Sequence, residues 1–106
     1  MVEFIENENK ELIKISIGSN ISNINLLNHK YDGKSISGKQ NRDSIVNTAL
    51  LYLHSPYLWG GKTPFGIDCS GFIQMVFRFF KINLPRDAYQ QAKKGKKINF
   101  ENCKTG

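Results

Sequence analysis

Residues Pro56 to Phe72 constrain this chain more than any other stretch. They read Pro-Tyr-Leu-Trp-Gly-Gly-Lys-Thr-Pro-Phe-Gly-Ile-Asp-Cys-Ser-Gly-Phe: a loop of glycine, proline and aromatics that runs straight into Asp68-Cys69. Apolar residues at helical spacing follow. An aspartate at a helix N-cap accepts hydrogen bonds from the free N–H groups of the first turn. Cys69 then becomes the first helical residue, at the positive end of the helix dipole, where a thiolate is favoured over a thiol. A cysteine held there suits covalent catalysis. Position alone also allows the blander reading, a small hydrophobe in a core.

The rest of the second half reads as helices around that stretch. Asp43 or Asn41 caps a predicted helix whose apolar face is Ile45, Val46, Ala49, Leu50 and Leu53. It should end near His54-Ser55, because the residue before Pro56 is pushed out of the helical region. In the helix after Cys69, residues Phe72, Ile73, Val76, Phe77, Phe79 and Phe80 cover most of the circumference, which predicts near-complete burial. Asn83 and Pro85 break it. Asp87, with Gln90 three residues on, starts a short helix reaching about Lys94. Lys93 to Lys97 is an exposed turn, and Ile98-Asn99-Phe100 begins a strand.

Residues 1–40 read as β-structure. Leu12 to Ile17 alternates, putting Ile13, Ile15 and Ile17 on one face, and Gly18-Ser19-Asn20 ends the strand. Ile21, Ile24, Leu26 and Leu27 belong to short strands and turns, Tyr31-Asp32-Gly33 is a turn, and Ser35 to Gln40 is a linker.

Charge divides the chain at the same place. Lys10, Lys14, Lys30, Lys34 and Lys39 are balanced by Glu3, Glu6, Glu8, Glu11 and Asp32, so the whole net charge of +6 falls on residues 41–106. That favours anionic partners. Nucleic acid is the poorer candidate, because Tyr89 and Phe100 are too sparse to interleave the Lys93–Lys97 cluster with stacking platforms. No apolar run approaches the ~20 residues of a membrane-spanning helix. The start lacks the pattern of an export signal, so the expected location is the cytoplasm, or the cell envelope if an export segment precedes this chain. Cys69 and Cys103 are too few for a disulfide framework. Together with His29 and His54 they lack zinc-ligand spacing.

Pro56-Tyr57-x-Trp59-Gly60-Gly61 followed by Asp68-Cys69-Ser70-Gly71-Phe72 resembles the signature of the NlpC-type cell-wall peptidases, a papain-like family of bacterial cysteine hydrolases. The similarity continues through Leu84-Pro85-Arg86-Asp87 and Gln90-Gln91-Ala92, reaches back to Ala49 and Tyr52, and covers about residues 42–106. It implies an α+β fold in which 42–106 is the helical, nucleophile-bearing half of a papain-like domain. Such peptidases often follow a bacterial SH3-like domain, and residues 1–37 are similar to the tail of one.

The resemblance implies that Cys69 attacks a peptide stem of peptidoglycan, at the γ-D-glutamyl bond to a diamino acid, through a thioester acyl-enzyme. No metal or organic cofactor is implied. Tyr57 is expected near the nucleophile, binding substrate or supporting the oxyanion, and the Cys69 N–H is a further oxyanion donor. Family members specific for a free N-terminal L-Ala use the positions of Asp68 and Ser70 to bind its amine. Trp59 is expected as a packing anchor under the loop, with Gly60 and Gly61 allowing close backbone approach. Arg86 and Asp87 should fix the loop after Pro85.

One departure is plain. The family order places the catalytic His after the Cys, and residues 70–106 contain none. His54 and His29 are weak substitutes. These 106 residues are therefore expected to be incomplete and inactive alone, with Phe72, Val76 and Phe79 partly exposed and prone to association. The alternative reading is a non-catalytic cell-wall or polyanion binding module.

Overall fold

The computed structural model describes residues 2–22, 28–33 and 40–105. The chain divides into two compact units, Met1–Ile36 and Ser37–Gly106. In the first, strand β1 (Val2–Glu6) pairs antiparallel with β2 (Leu12–Ser16), setting Ile5 opposite Ile13 and Phe4 opposite Lys14. The Asn7 carboxamide closes the loop between them: its oxygen accepts from the N–H groups of Asn9 and Glu11 at 2.9 and 2.8 Å. Glu6 also exchanges two backbone hydrogen bonds with Lys30, at 2.8 and 2.7 Å. The strand stops one residue short of the alternating pattern. Ile17 falls in the turn before Gly18, whose φ is 86°, so only Ile13 and Ile15 share the strand face. The predicted strands at Ile24, Leu26 and Leu27, and most of the predicted linker, lie outside the described residues.

The second unit begins with a 3-10 turn at Arg42–Ser44, capped by the Asn41 side chain, which accepts from the Asp43 N–H at 3.0 Å. Helix α1 follows at Ile45–Leu50, then tight turns to His54, which takes a left-handed φ of 69°. A two-residue hairpin, β3 (Lys62–Thr63) with β4 (Gly66–Ile67), leads into helix α2 (Cys69–Arg78). Helix α3 spans Ala88–Ala92, started by Asp87 with Gln90 at the third helical position as its sequence predicts. Residues Phe100–Asn102 form a 3-10 turn where a strand was expected; each N–H from Asn102 and Cys103 returns to a carbonyl three residues back, closing the chain locally.

The core is Tyr52, Ile67, Met75, Val76 and Phe80, all at most 8% exposed. Tyr52 meets Phe72 edge-to-face with ring centroids 6.0 Å apart. Burial pushes the Tyr52 phenol up to about 12, so it stays neutral. Two apolar stripes run along α1 and the residues after it, and α2 covers one of them. Thr48 and Tyr52 are buried on the covered stripe, with Ile45 and Ala49 half-buried. Val46, Leu50 and Leu53, expected in the core, are instead 52–63% exposed. Spacing of three and four fits both stripes equally, so periodicity alone could not choose between them.

Helix α2 is likewise covered on one side rather than all round, with Ile73 exposed and Phe72, Phe77 and Phe79 half-buried. Val76 departs from expectation in the other direction, at 3% exposure. The helix ends before either predicted breaker. Lys81 takes φ 60°, its N–H bonds to the Arg78 carbonyl at 3.1 Å, and Ile82 N–H returns to Phe77 at 3.2 Å, a Schellman closure.

This core assignment separates two substitutions that look alike in sequence. Met75→Ala should cost about 2–5 kcal/mol of unfolding free energy, whereas Val46→Ala should stay within about 0.5 kcal/mol. Urea titrations of the two variants check it.

Candidate active site

Leu58 to Gly61 forms a tight turn, closed by the Gly61 N–H on the Leu58 carbonyl at 2.9 Å. Gly60 sits at its third position with φ 79°, a conformation glycine adopts without steric cost. Trp59 is thereby carried on the outside of the turn and is 86% exposed, which corrects its expected role as a buried anchor. The chain then folds back through the small hairpin. Its return strand lies against the lead-in segment, with Ile67 N–H bonded to the Pro56 carbonyl at 3.0 Å and Leu58 N–H to the Ile67 carbonyl at 3.2 Å. This pins Tyr57 in a bridge beside Ile67, two residues before Cys69.

Asp68 is the hub that joins this turn to helix α2. Its N–H bonds to the Gly61 carbonyl at 3.1 Å, and its own carbonyl accepts the first helical bond of α2, from Phe72 N–H at 2.9 Å. One carboxylate oxygen accepts from Gly71 N–H at 2.7 Å, from Arg86 Nη1 at 2.9 Å and from the Ser70 hydroxyl at 3.3 Å. The other accepts from Gly60 N–H at 2.9 Å and Arg86 Nη2 at 2.6 Å. Arg86 is thus bidentate on Asp68, and its Nη1 also donates to the Ser70 hydroxyl at 2.9 Å. Gly71 is required by space, since a Cβ there would meet the Gly61 carbonyl oxygen at 2.6 Å.

The Arg86 guanidinium, then the Gly71 N–H, hold the Asp68 carboxyl well below the usual carboxylate range, although burial opposes them. Asp68 therefore keeps its charge, and its cap, through the ordinary carboxylate range.

The four side chains singled out in the sequence fall into two pairs. Cys69 and Tyr57 face outward, Tyr57 being 66% exposed. Asp68 and Ser70 are each only 8% exposed and bond to one another and to Arg86. The Cys69 and Ser70 N–H groups, at the open end of α2, have no partner among the described residues. An exposed sulfur with two free amide donors beside it has the parts for nucleophilic attack and for holding the resulting oxyanion. His54 is exposed and makes no hydrogen bond among the described residues. Sequence reasoning placed Arg86 only as far as its own loop. Its reach of eighteen residues back to Asp68 leaves no periodic trace, and the signal that could have found it is its place in the Leu84-Pro85-Arg86-Asp87 motif.

The sequence model of the NlpC/P60 family matches residues 54–106. The gamma-D-glutamyl-L-lysine dipeptidyl-peptidase of Bacillus subtilis is 43% identical over 68 residues, which is 64% of this chain and 23% of that protein. The Escherichia coli K12 murein DD-endopeptidase MepS/murein LD-carboxypeptidase is 49% identical over 51 residues, 47% of this chain and 27% of that protein. The chain thus spans less than a third of either curated relative. The crystal structure of the NlpC/P60 domain of the peptidoglycan hydrolase SagA superposes with a TM-score of 0.58 at 37% identity, covering 63% of this chain and 58% of that one. An NlpC/P60 family protein from Bacillus cereus superposes at 0.70, over 99% of this chain and 42% of that one; at 20% identity it speaks for the fold alone. Among the described residues no helix is long and apolar enough to cross a membrane.

The buried carboxylate predicts an acid-side signature. Because the folded value lies below the ordinary 3.8, its contribution to stability is complete above about pH 4 and is lost as pH falls toward the folded value. Melting curves of wild type and Asp68→Asn from pH 7 to pH 2 should keep a constant gap down to about pH 4 and converge below it. A gap as wide at pH 2 as at pH 7 contradicts this.

Proposed function

This chain belongs to the NlpC/P60 family, and from that premise we propose that it carries the nucleophile of a cysteine peptidase acting on peptidoglycan stem peptides, at the γ-D-glutamyl bond to a diamino acid. The observation that carries the reading is an exposed Cys69 at the first position of α2, beside unpartnered Cys69 and Ser70 N–H groups. Named activities of the relatives support the substrate class.

In the proposed reaction the Cys69 sulfur attacks the scissile carbonyl carbon. The carbonyl oxygen takes the negative charge and is held by the free N–H groups of the helix start. Collapse of that intermediate expels the amine of the diamino acid, which takes up a proton, and leaves a thioester on Cys69. Water then attacks the thioester, releasing the glutamyl carboxylate and returning the sulfur. A base must remove the thiol proton and later deliver one to the leaving amine. Residues 70–106 hold no histidine for this, and the 106 residues alone are expected to give negligible turnover.

Tyr57, pinned beside Ile67 and outward-facing, is the substrate-contacting side chain of the lead-in loop. An ammonium group on the substrate would reach Asp68 and Ser70 only by sharing them with Arg86, which already holds both carboxylate oxygens. Residues 1–37 are assigned to the tail of an SH3-like module, on the strength of their β-hairpin and their place ahead of the peptidase segment.

The chain offers its own control for the test, because Cys69 and Cys103 are both exposed. L-alanyl-γ-D-glutamyl chloromethyl ketone should alkylate Cys69 with saturation and at least about 10-fold faster than Cys103, since a bound probe presents its carbon at high effective concentration. Equal, unsaturable labelling of both thiols would reject the assignment.

A further inference from the structure

Two motif segments have no task in that reaction, Leu84-Pro85-Arg86-Asp87 and Gln90-Gln91-Ala92. The structure gives them one. Gln91, on α3, donates both hydrogens of its carboxamide: one to the Ser70 carbonyl at 2.8 Å and one to the Pro85 carbonyl at 2.9 Å. Arg86, five residues earlier, holds both oxygens of Asp68 and the Ser70 hydroxyl. The residues on either side of Cys69 are therefore gripped from one short segment, through a carboxylate on one side and a hydroxyl and a carbonyl on the other. Cys69 itself is left free and exposed between them.

A short exposed helix such as α3 has little reason of its own to be ordered, since no residue in it is buried. Beyond its capping box and its contact with α2, the Gln91 bonds tie it to the nucleophile turn. The grip also sets where the Cys69 and Ser70 N–H groups point, because the peptide planes of residues 68–71 are fixed at both ends. Backbone donors act on an oxyanion only when aimed, and a shift of about 1 Å can cost about 100-fold in rate.

We propose that Arg86 and Gln91 are positioning residues: a two-armed clamp from residues 85–91 that fixes the nucleophile turn and aims its free N–H groups. The functional half of this inference rests on Cys69 being the nucleophile. The geometric half does not.

The experiment uses the full chain and three variants, Arg86→Lys, Arg86→Gln and Gln91→Ala. Lysine keeps the charge but loses the two-pronged geometry, so it should fail to rescue. Amide order parameters from ¹⁵N relaxation form the first arm. They should fall at Cys69 and Ser70 from about 0.85 to below about 0.6 in each variant, with Met75 and Val76 unchanged. The second arm is the chloromethyl ketone, whose maximal inactivation rate should fall about 10–100-fold while its half-saturation concentration moves less than about 2-fold.

Unchanged order at residues 69 and 70 overturns the proposal whatever the probe does. So does a rise in half-saturation at constant maximal rate, which would make the pair substrate contacts, and so does uniform loosening of α2 as a whole. If wild-type Cys69 proves unreactive toward the probe, the nucleophile reading fails and the relaxation arm still decides whether the clamp exists.

Discussion

The second unit is organised by one buried carboxylate. Asp68 takes donors from the turn before it (Gly60), from the helix it starts (Gly71 and Ser70) and from a segment eighteen residues on (Arg86). A carboxylate that is only 10% exposed is costly unless its oxygens are filled and a counter-charge is near. Both conditions are met. Removing any one partner would leave the others holding a less compensated charge, so the loop, the helix start and the segment after Pro85 are coupled through it.

That constraint also accounts for the exposure pattern at the site. Asp68 points inward to collect its donors, and Ser70 is drawn in with it. Cys69, between them, is turned outward by the same helix geometry, because neighbouring positions in a first turn face different ways. The sulfur is presented by the burial of its neighbours. Free amides come with it, since the groups that open a helix have no partner within it.

Much of this was legible in the sequence because it depends on local chemistry. Asp68 as a cap, Cys69 as the first helical residue, and Asp87 and Gln90 at the start of α3 are each decided within a few residues. What was not legible depends on distant partners. Two stripes on α1 fit the helical period equally, and only the position of α2 buries Thr48 and Tyr52 in preference to Val46, Leu50 and Leu53. Trp59 reads as an anchor by composition, yet the turn that Gly60 permits carries it into solvent. Arg86 could be seen as a loop residue, but its partner could not, because nothing in the spacing of residues 68 and 86 signals a contact.

Everything therefore turns on whether the Asp68 carboxylate is charged, buried and clamped. Titrating the side-chain carboxyl ¹³C resonance of Asp68 against pH asks this directly. The clamp predicts a chemical shift that stays on its ionised plateau through the ordinary carboxylate value of 3.8, with movement only at clearly lower pH. In Arg86→Gln the midpoint should climb back toward that value. A wild-type resonance that titrates at 3.8 like an exposed aspartate would contradict the account.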